Sequence, residues 1–191
     1  MRRLNLLGVF AVAVLLLLLS SAPVLADEGE EGANFGGLAA FGVALIFTGT
    51  AYYALTKRRL FIEHRKGEPG IVVRPERPYI TVFGPVYPMT IHHTFTVIGT
   101  LLALAHFATC TDYSTIGGGA GLGMAITLVL LNISGFYGRY IHIRIERTAR
   151  KSEMRALKRL VVLLRRWKVF HVALVVVFLI LLGVHLATVG D

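Results

Sequence analysis

VFHVALVVVFLILLGVHLATV, residues 169–189, decides the fold. These 21 residues hold no Lys, Arg, Asp or Glu. As a helix rising 1.5 Å per residue they reach about 30 Å, the thickness of a bilayer's hydrocarbon core. Working outward, three more apolar runs of similar length stand at about 120–141, 89–110 and 35–55. None alternates as a barrel strand would, so satisfying the backbone in lipid calls for helices. The expectation is an all-α, membrane-spanning four-helix bundle. Composition agrees: 55% of the 191 residues are hydrophobic, against about 45–50% in soluble domains.

Charge orders the spans. Residues 57–77 hold seven Lys and Arg, residues 139–168 hold eleven, and Arg2 and Arg3 complete the twenty. Residues 27–34, 111–119 and 188–191 hold six acids and no base. All positive charge then falls on one side, which the positive-inside rule makes cytoplasmic. The basic residues flank apolar runs, so the lipid bilayer, and not nucleic acid, is the expected partner of the +9 net charge. Residues 1–26 read as a secretory signal, with a basic start, an apolar core from Leu4 to Leu19 and Val24-Leu25-Ala26 before the cut; an uncleaved anchor is the alternative. Residues 27–34 form an acidic extracytoplasmic tail, and 35–191 the bundle. The chain is thus expected in the cell membrane, multi-pass, with the mature N-terminus and the C-terminus both extracytoplasmic. The second and fourth spans run parallel.

The two cytoplasmic connections differ. Residues 57–88 contain five prolines and read as an irregular or extended loop. Residues 143–167 contain none, and Met154, Leu157, Val161 and Leu164 recur at helical spacing with Arg and Lys opposite. The expectation is a basic amphipathic helix at the inner leaflet, with a solvated extension of the fourth span as the alternative. The single cysteine, Cys110, excludes an internal disulfide, a CxxCH haem attachment and a cysteine-held iron–sulfur cluster.

Four of the seven histidines form two matched pairs: His92 with His106, and His171 with His185, each 14 residues apart. At 100° per residue a separation of 14 returns to within about 40°, and it rises about 21 Å. Each pair therefore shares a face, with one histidine near each membrane surface. On parallel helices His92 comes level with His171 on the inner side, and His106 with His185 on the outer. Facing imidazoles suit the two axial positions of a haem iron, so these four are the expected ligands of two haem b groups. A filled coordination shell favours outer-sphere electron transfer. A histidine-lined metal or proton carrier is the competing reading, but transport sites gather at the midplane and these histidines stand near both faces. His93 is 13 residues from His106, which turns it about 140° off that face; it is the second choice for the inner ligand. His64 and His142 sit in basic borders and read as solvated or interfacial.

Gly99 and Phe178 each lie midway between the histidines of their span and are expected to face one another between the cofactors. Arg139 and Lys168, with Lys57, are the inner candidates to pair with haem propionates. The outer side has no Lys or Arg and offers Thr109, Thr111, Tyr113 and Ser114.

This pattern of two histidine pairs, on spans separated by one intervening helix, resembles the di-haem four-helix core of cytochrome b in the bc complexes. It is also similar to the transmembrane core of ferric-reductase-like and NADPH-oxidase-like proteins. The matching residues are His92, His106, His171 and His185. Trp167-Lys-Val-Phe-His171 is similar to the Trp-x-x-x-His stretch that opens the last haem helix of bacterial ferric-reductase-like proteins. Ser134-Gly-Phe-Tyr-Gly-Arg-Tyr140 looks like the Gly-Arg-Tyr stretch of prokaryotic di-haem cytochrome b subunits. The resemblance covers about residues 40–189.

It implies an electron-transfer subunit of an oxidoreductase complex. Electrons would pass between a quinone pool or cytoplasmic donor and an extracytoplasmic redox protein, such as a multihaem cytochrome c or iron–sulfur protein. No stretch resembles a GxGxxG dinucleotide unit or the quinol-site motif of the bc complexes. A quinone is expected near residues 78–88 and 135–139, with Tyr79, His93 and Arg139 as hydrogen-bonding candidates. The alternative is a self-contained ferric-type reductase with its exit at Asp112, Tyr113 and the glycine-rich turn.

Overall fold

The computed structural model describes residues 33–56, 62–64, 71–73, 87–109, 113–151 and 153–188. It holds helices α1 (Ala33–Thr56), α2 (Pro88–Thr109), α3 (Ile116–Arg150) and α4 (Met154–Thr188), with two short strands, β1 (Ile62–His64) and β2 (Ile71–Val73), between α1 and α2. All four helices are long and apolar enough to cross a membrane. The signal, Tyr79 and Cys110 lie outside the described residues.

Local chemistry sets the helix starts. Pro88 opens α2, where a missing N–H removes nothing and its φ is already helical. The Tyr87 carbonyl takes the next free amides, from Thr90 at 2.8 Å and Ile91 at 3.2 Å. Thr115 caps α3, its hydroxyl accepting from the Gly118 amide at 3.0 Å. The segment between α1 and α2, expected to be a proline-broken loop, includes an antiparallel ladder pairing Ile62 with Val73 and His64 with Ile71.

The helices pack as two antiparallel pairs, α1 on α2 and α3 on α4, with α2 also touching α3. Gly42 and Gly99 let α1 and α2 meet backbone to backbone: a Cβ on Gly42 would stand 2.6 Å from the Gly99 carbonyl. Between α2 and α3 the tie is polar, Asn132 Nδ2 donating to Thr100 Oγ1 at 2.8 Å. At mid-height Leu128, Phe178 and Leu182 are buried, with Val43, Ile46 and Phe47 of α1, Ala103 of α2 and Met124 and Leu131 of α3 packed on them. All four helices thus share this one apolar cluster.

Helices α3 and α4 are each 35 residues long. That is about 52 Å, some 20 Å more than a bilayer core needs. The surplus forms a helical hairpin at the basic end. Ile141, Ile145, Leu157 and Leu164 are buried at its seam, with Ala149, Met154, Leu160 and Trp167 against them. The expectation of an amphipathic helix on the leaflet is corrected here. Its apolar face is taken up by the last turns of α3, whose own apolar positions recur at matching spacing. Met154–Thr188 is one helix, so this stretch is continuous with the fourth span.

Candidate functional site

The histidines gather at two levels. At the basic end His93 is buried, its ring stacked on Phe136 at 5.3 Å between centroids and 5° between planes. Its Cε1 lies over Gly135, where a Cβ would stand only 3.2 Å away. His93 and His171 meet the same turn of α3, at Gly135 and Ser134. Across from it, His171 sets Nδ1 at 3.1 Å from the Ser134 hydroxyl. The Trp167 indole stacks on the His171 ring at 5.2 Å. Its N–H donates to the Ser134 carbonyl at 2.7 Å and also reaches Ser134 Oγ at 3.1 Å. This indole fits because residue 138 is glycine; a Cβ there would overlap the ring.

At the neutral end stand His106, in the last turn of α2, and His185, in the last turn of α4. His185 Nδ1 stands 2.9 Å from the Gly117 carbonyl oxygen, which can only accept, so the proton is on Nδ1 and Nε2 carries the free lone pair. Gly121 floors the ring, its would-be Cβ 3.6 Å from Cε1. Beside the site Thr109 donates to the His106 carbonyl at 2.7 Å. Exposed Tyr113 tilts against Phe107, with 5.2 Å between ring centroids.

Two residues meet other neighbours than expected. His92 stacks on Tyr53 of α1 at 5.2 Å between ring centroids, whereas His93 lies against α3, on Phe136 and over Gly135. Gly99 does not face Phe178; it meets Gly42 and Ile46 of α1. Both have one cause. Helix α2 turns toward α1 the face of His92, Phe95 and Gly99, and toward α3 the face of His93 and Thr100. The seven-residue arithmetic found which residues share a face, but not which neighbour that face meets. Phe178 does stand centrally, buried in the cluster between the two levels. Arg139 is half-buried beside the basic-end couple, while Lys168 is exposed. His142 lies past this couple on α3, half-buried, and His64 lies on β1.

Sequence reasoning passed over Ser134 and Gly117 as partners of the histidines, and Gly121 and Gly135 as the floor beneath them. A signal was present. Gly117-x-x-x-Gly121 and Ser134-x-x-x-Gly138 are two small-residue pairs on one apolar helix, the pattern that admits close neighbours in a membrane.

The donor set can be tested against haem. Among the described residues no three His, Cys, Asp or Glu converge as a cage for a bare ion. At the basic end the His93 ring lies 5.6 Å from that of His92 as well as near His171's partner Ser134, and a porphyrin iron lacks two axial donors. Both α4 histidines engage Nδ1 with an oxygen and leave Nε2 for a metal, the usual arrangement of a ligating imidazole. Helices α2 and α4 do not form a packed pair, whereas α1 with α2 and α3 with α4 do. In donor type the four histidines suit bis-histidine haem ligation. Family models, curated proteins and solved structures were compared with the chain, and none matches.

Proposed function

We propose that the chain is a membrane di-haem cytochrome b, an electron-transfer subunit of an oxidoreductase complex. It passes electrons across the bilayer between a quinone pool or cytoplasmic donor and an extracytoplasmic redox protein. The observation that carries this reading is four histidines at two ends of one bundle: His93 and His171 against Gly135 and Ser134 of α3, and His106 and His185 in the last turns of α2 and α4. Along α4 the levels are 14 residues apart, about 21 Å of rise. Haem, when bound, supplies a one-electron ferric–ferrous couple at each level.

The chain's own residues do the rest. His93, His171, His106 and His185 would hold the haem iron through their imidazoles. Ser134 Oγ and the Gly117 carbonyl orient the α4 imidazoles and raise their basicity. Arg139 offers a guanidinium to a propionate at the basic end. Phe178 and its cluster keep water out of the layer between the levels. By the positive-inside rule the basic end is cytoplasmic and the neutral end faces the extracytoplasmic partner. A quinone near Arg139 is the small-molecule donor or acceptor this reading favours.

The test is the cofactor itself. Pyridine haemochrome analysis of the purified full chain is expected to give two haem b per chain, with a reduced-minus-oxidised α band of b type. A preparation folded by circular dichroism, supplied with haem and still without that band would overturn the reading.

A further inference from the structure

The hairpin beyond the basic-end couple is not required by that couple. Residues 142–168 carry ten Lys and Arg against two acids, Glu146 and Glu153. Orientation in a membrane needs such charge only near the ends of the spans. Here it continues to the tip, where Arg147, Arg150, Lys151 and Arg155 are all exposed. Arg150 stands 11 residues beyond Arg139, about 16 Å along the helix. That exceeds the Debye length of about 8–10 Å, within which an anionic leaflet attracts a cation. Nor does the tip keep an apolar face to lay into lipid: Leu157, Val161 and Leu164 are buried in the seam, and the hairpin's exposed large apolar residues, Ile143, Val162 and Leu163, stand toward its root.

The tip also has shape. A hollow of about 420 Å³ is lined by Arg144, Arg147, Thr148, Arg150, Lys151 and Glu153. At the root, Trp167 belongs both to the hairpin's core and to the surroundings of His171. One stiff element therefore connects a cationic surface with the basic-end site.

We infer that this hairpin is a docking post for an acidic soluble protein, which it seats beside the basic-end histidines. Charge complementarity selects the partner and speeds its arrival. The self-supporting seam presents the charge clear of the headgroups. The inference goes beyond the redox reading and stands or falls on binding alone.

The test uses the full chain in nanodiscs of zwitterionic lipid, with a flavodoxin as the acidic probe protein and binding read by biolayer interferometry. Saturable binding is expected, weakening with added salt. The R147E/R150E/K151E/R155E variant is expected to bind about tenfold or more weakly, since it reverses four charges at one face. These positions are exposed, so the variant should keep its helix content. If it misfolds, the separate R150E and R155E variants are each expected to weaken binding about two- to threefold. Discs doped with anionic lipid should bind the probe as zwitterionic ones do. Absence of binding, or equal binding by wild type and variants, would overturn the inference. So would loss of binding in anionic discs, which would put the hairpin on the leaflet, or tighter binding of duplex DNA than of the probe. None of these outcomes depends on haem content, so failure here and failure of the cofactor reading are distinguishable.

Discussion

The two histidine couples sit on the same two helices, yet they are held differently. At the neutral end the α4 histidine is oriented by a backbone carbonyl and lies on a glycine floor. At the basic end it is oriented by a hydroxyl that an indole also touches, and its α2 partner is stacked on a phenylalanine beside an arginine. A carbonyl admits one tautomer and no side-chain substitution can remove it. A hydroxyl can donate or accept and one substitution deletes it. The neutral-end site is therefore fixed by the course of the chain, and the basic-end site by replaceable side chains.

The largest expected effect tests whether the couples are separate. His93→Ala should remove the basic-end haem and leave the other, halving the haemochrome ratio while helix content stays. His92→Phe, which keeps an aromatic ring against Tyr53, should retain both haems. The reverse result would return the ligand role to His92 and break the assignment of faces on α2.

A smaller effect is expected at Gly138. A leucine there would collide with Trp167, and overpacking of this kind costs about 1–3 kcal/mol. The displaced indole loses its bond to Ser134 and its stack on His171. Thermal unfolding in detergent should drop, and the basic-end haem band should broaden or fade before the other. Equal disturbance of both bands would show that the two levels are one cooperative unit.

These residues also mark what was legible in the chain. Four helices of spanning length follow from the apolar runs, because bilayer thickness and helix rise leave little choice. The hairpin's apolar stripe was legible as well, but not its partner. Met154, Leu157, Val161 and Leu164 are equally suited to lipid and to Ile141 and Ile145, and only tertiary packing decides. That His92 meets Tyr53 and His93 meets Phe136 has the same origin. Adjacent residues on a helix point about 100° apart, and the rotation of α2 is set by the Gly42–Gly99 contact, a long-range fact. Ser134 was hidden because a lone hydroxyl in an apolar helix ordinarily bonds its own backbone.

The finest prediction isolates that hydroxyl. For His171 to ligate through Nε2, Nδ1 must carry its proton and Ser134 Oγ must accept it. Ser134→Ala leaves this buried N–H without its acceptor, which costs about 1–3 kcal/mol. Trp167 keeps its 2.7 Å bond to the carbonyl of residue 134, so the indole stays and only the bond to His171 is removed. A less basic imidazole stabilises the ferric state less, so the basic-end midpoint potential should rise by tens of millivolts, taking about 59 mV per tenfold for one electron. The neutral-end potential should not move, because the Gly117 carbonyl is untouched. Ser134→Thr, which restores a hydroxyl, should return most of the shift. If both potentials rise together, or threonine rescues nothing, the hydroxyl does not tune this couple and the contrast between the two ends loses its chemical basis.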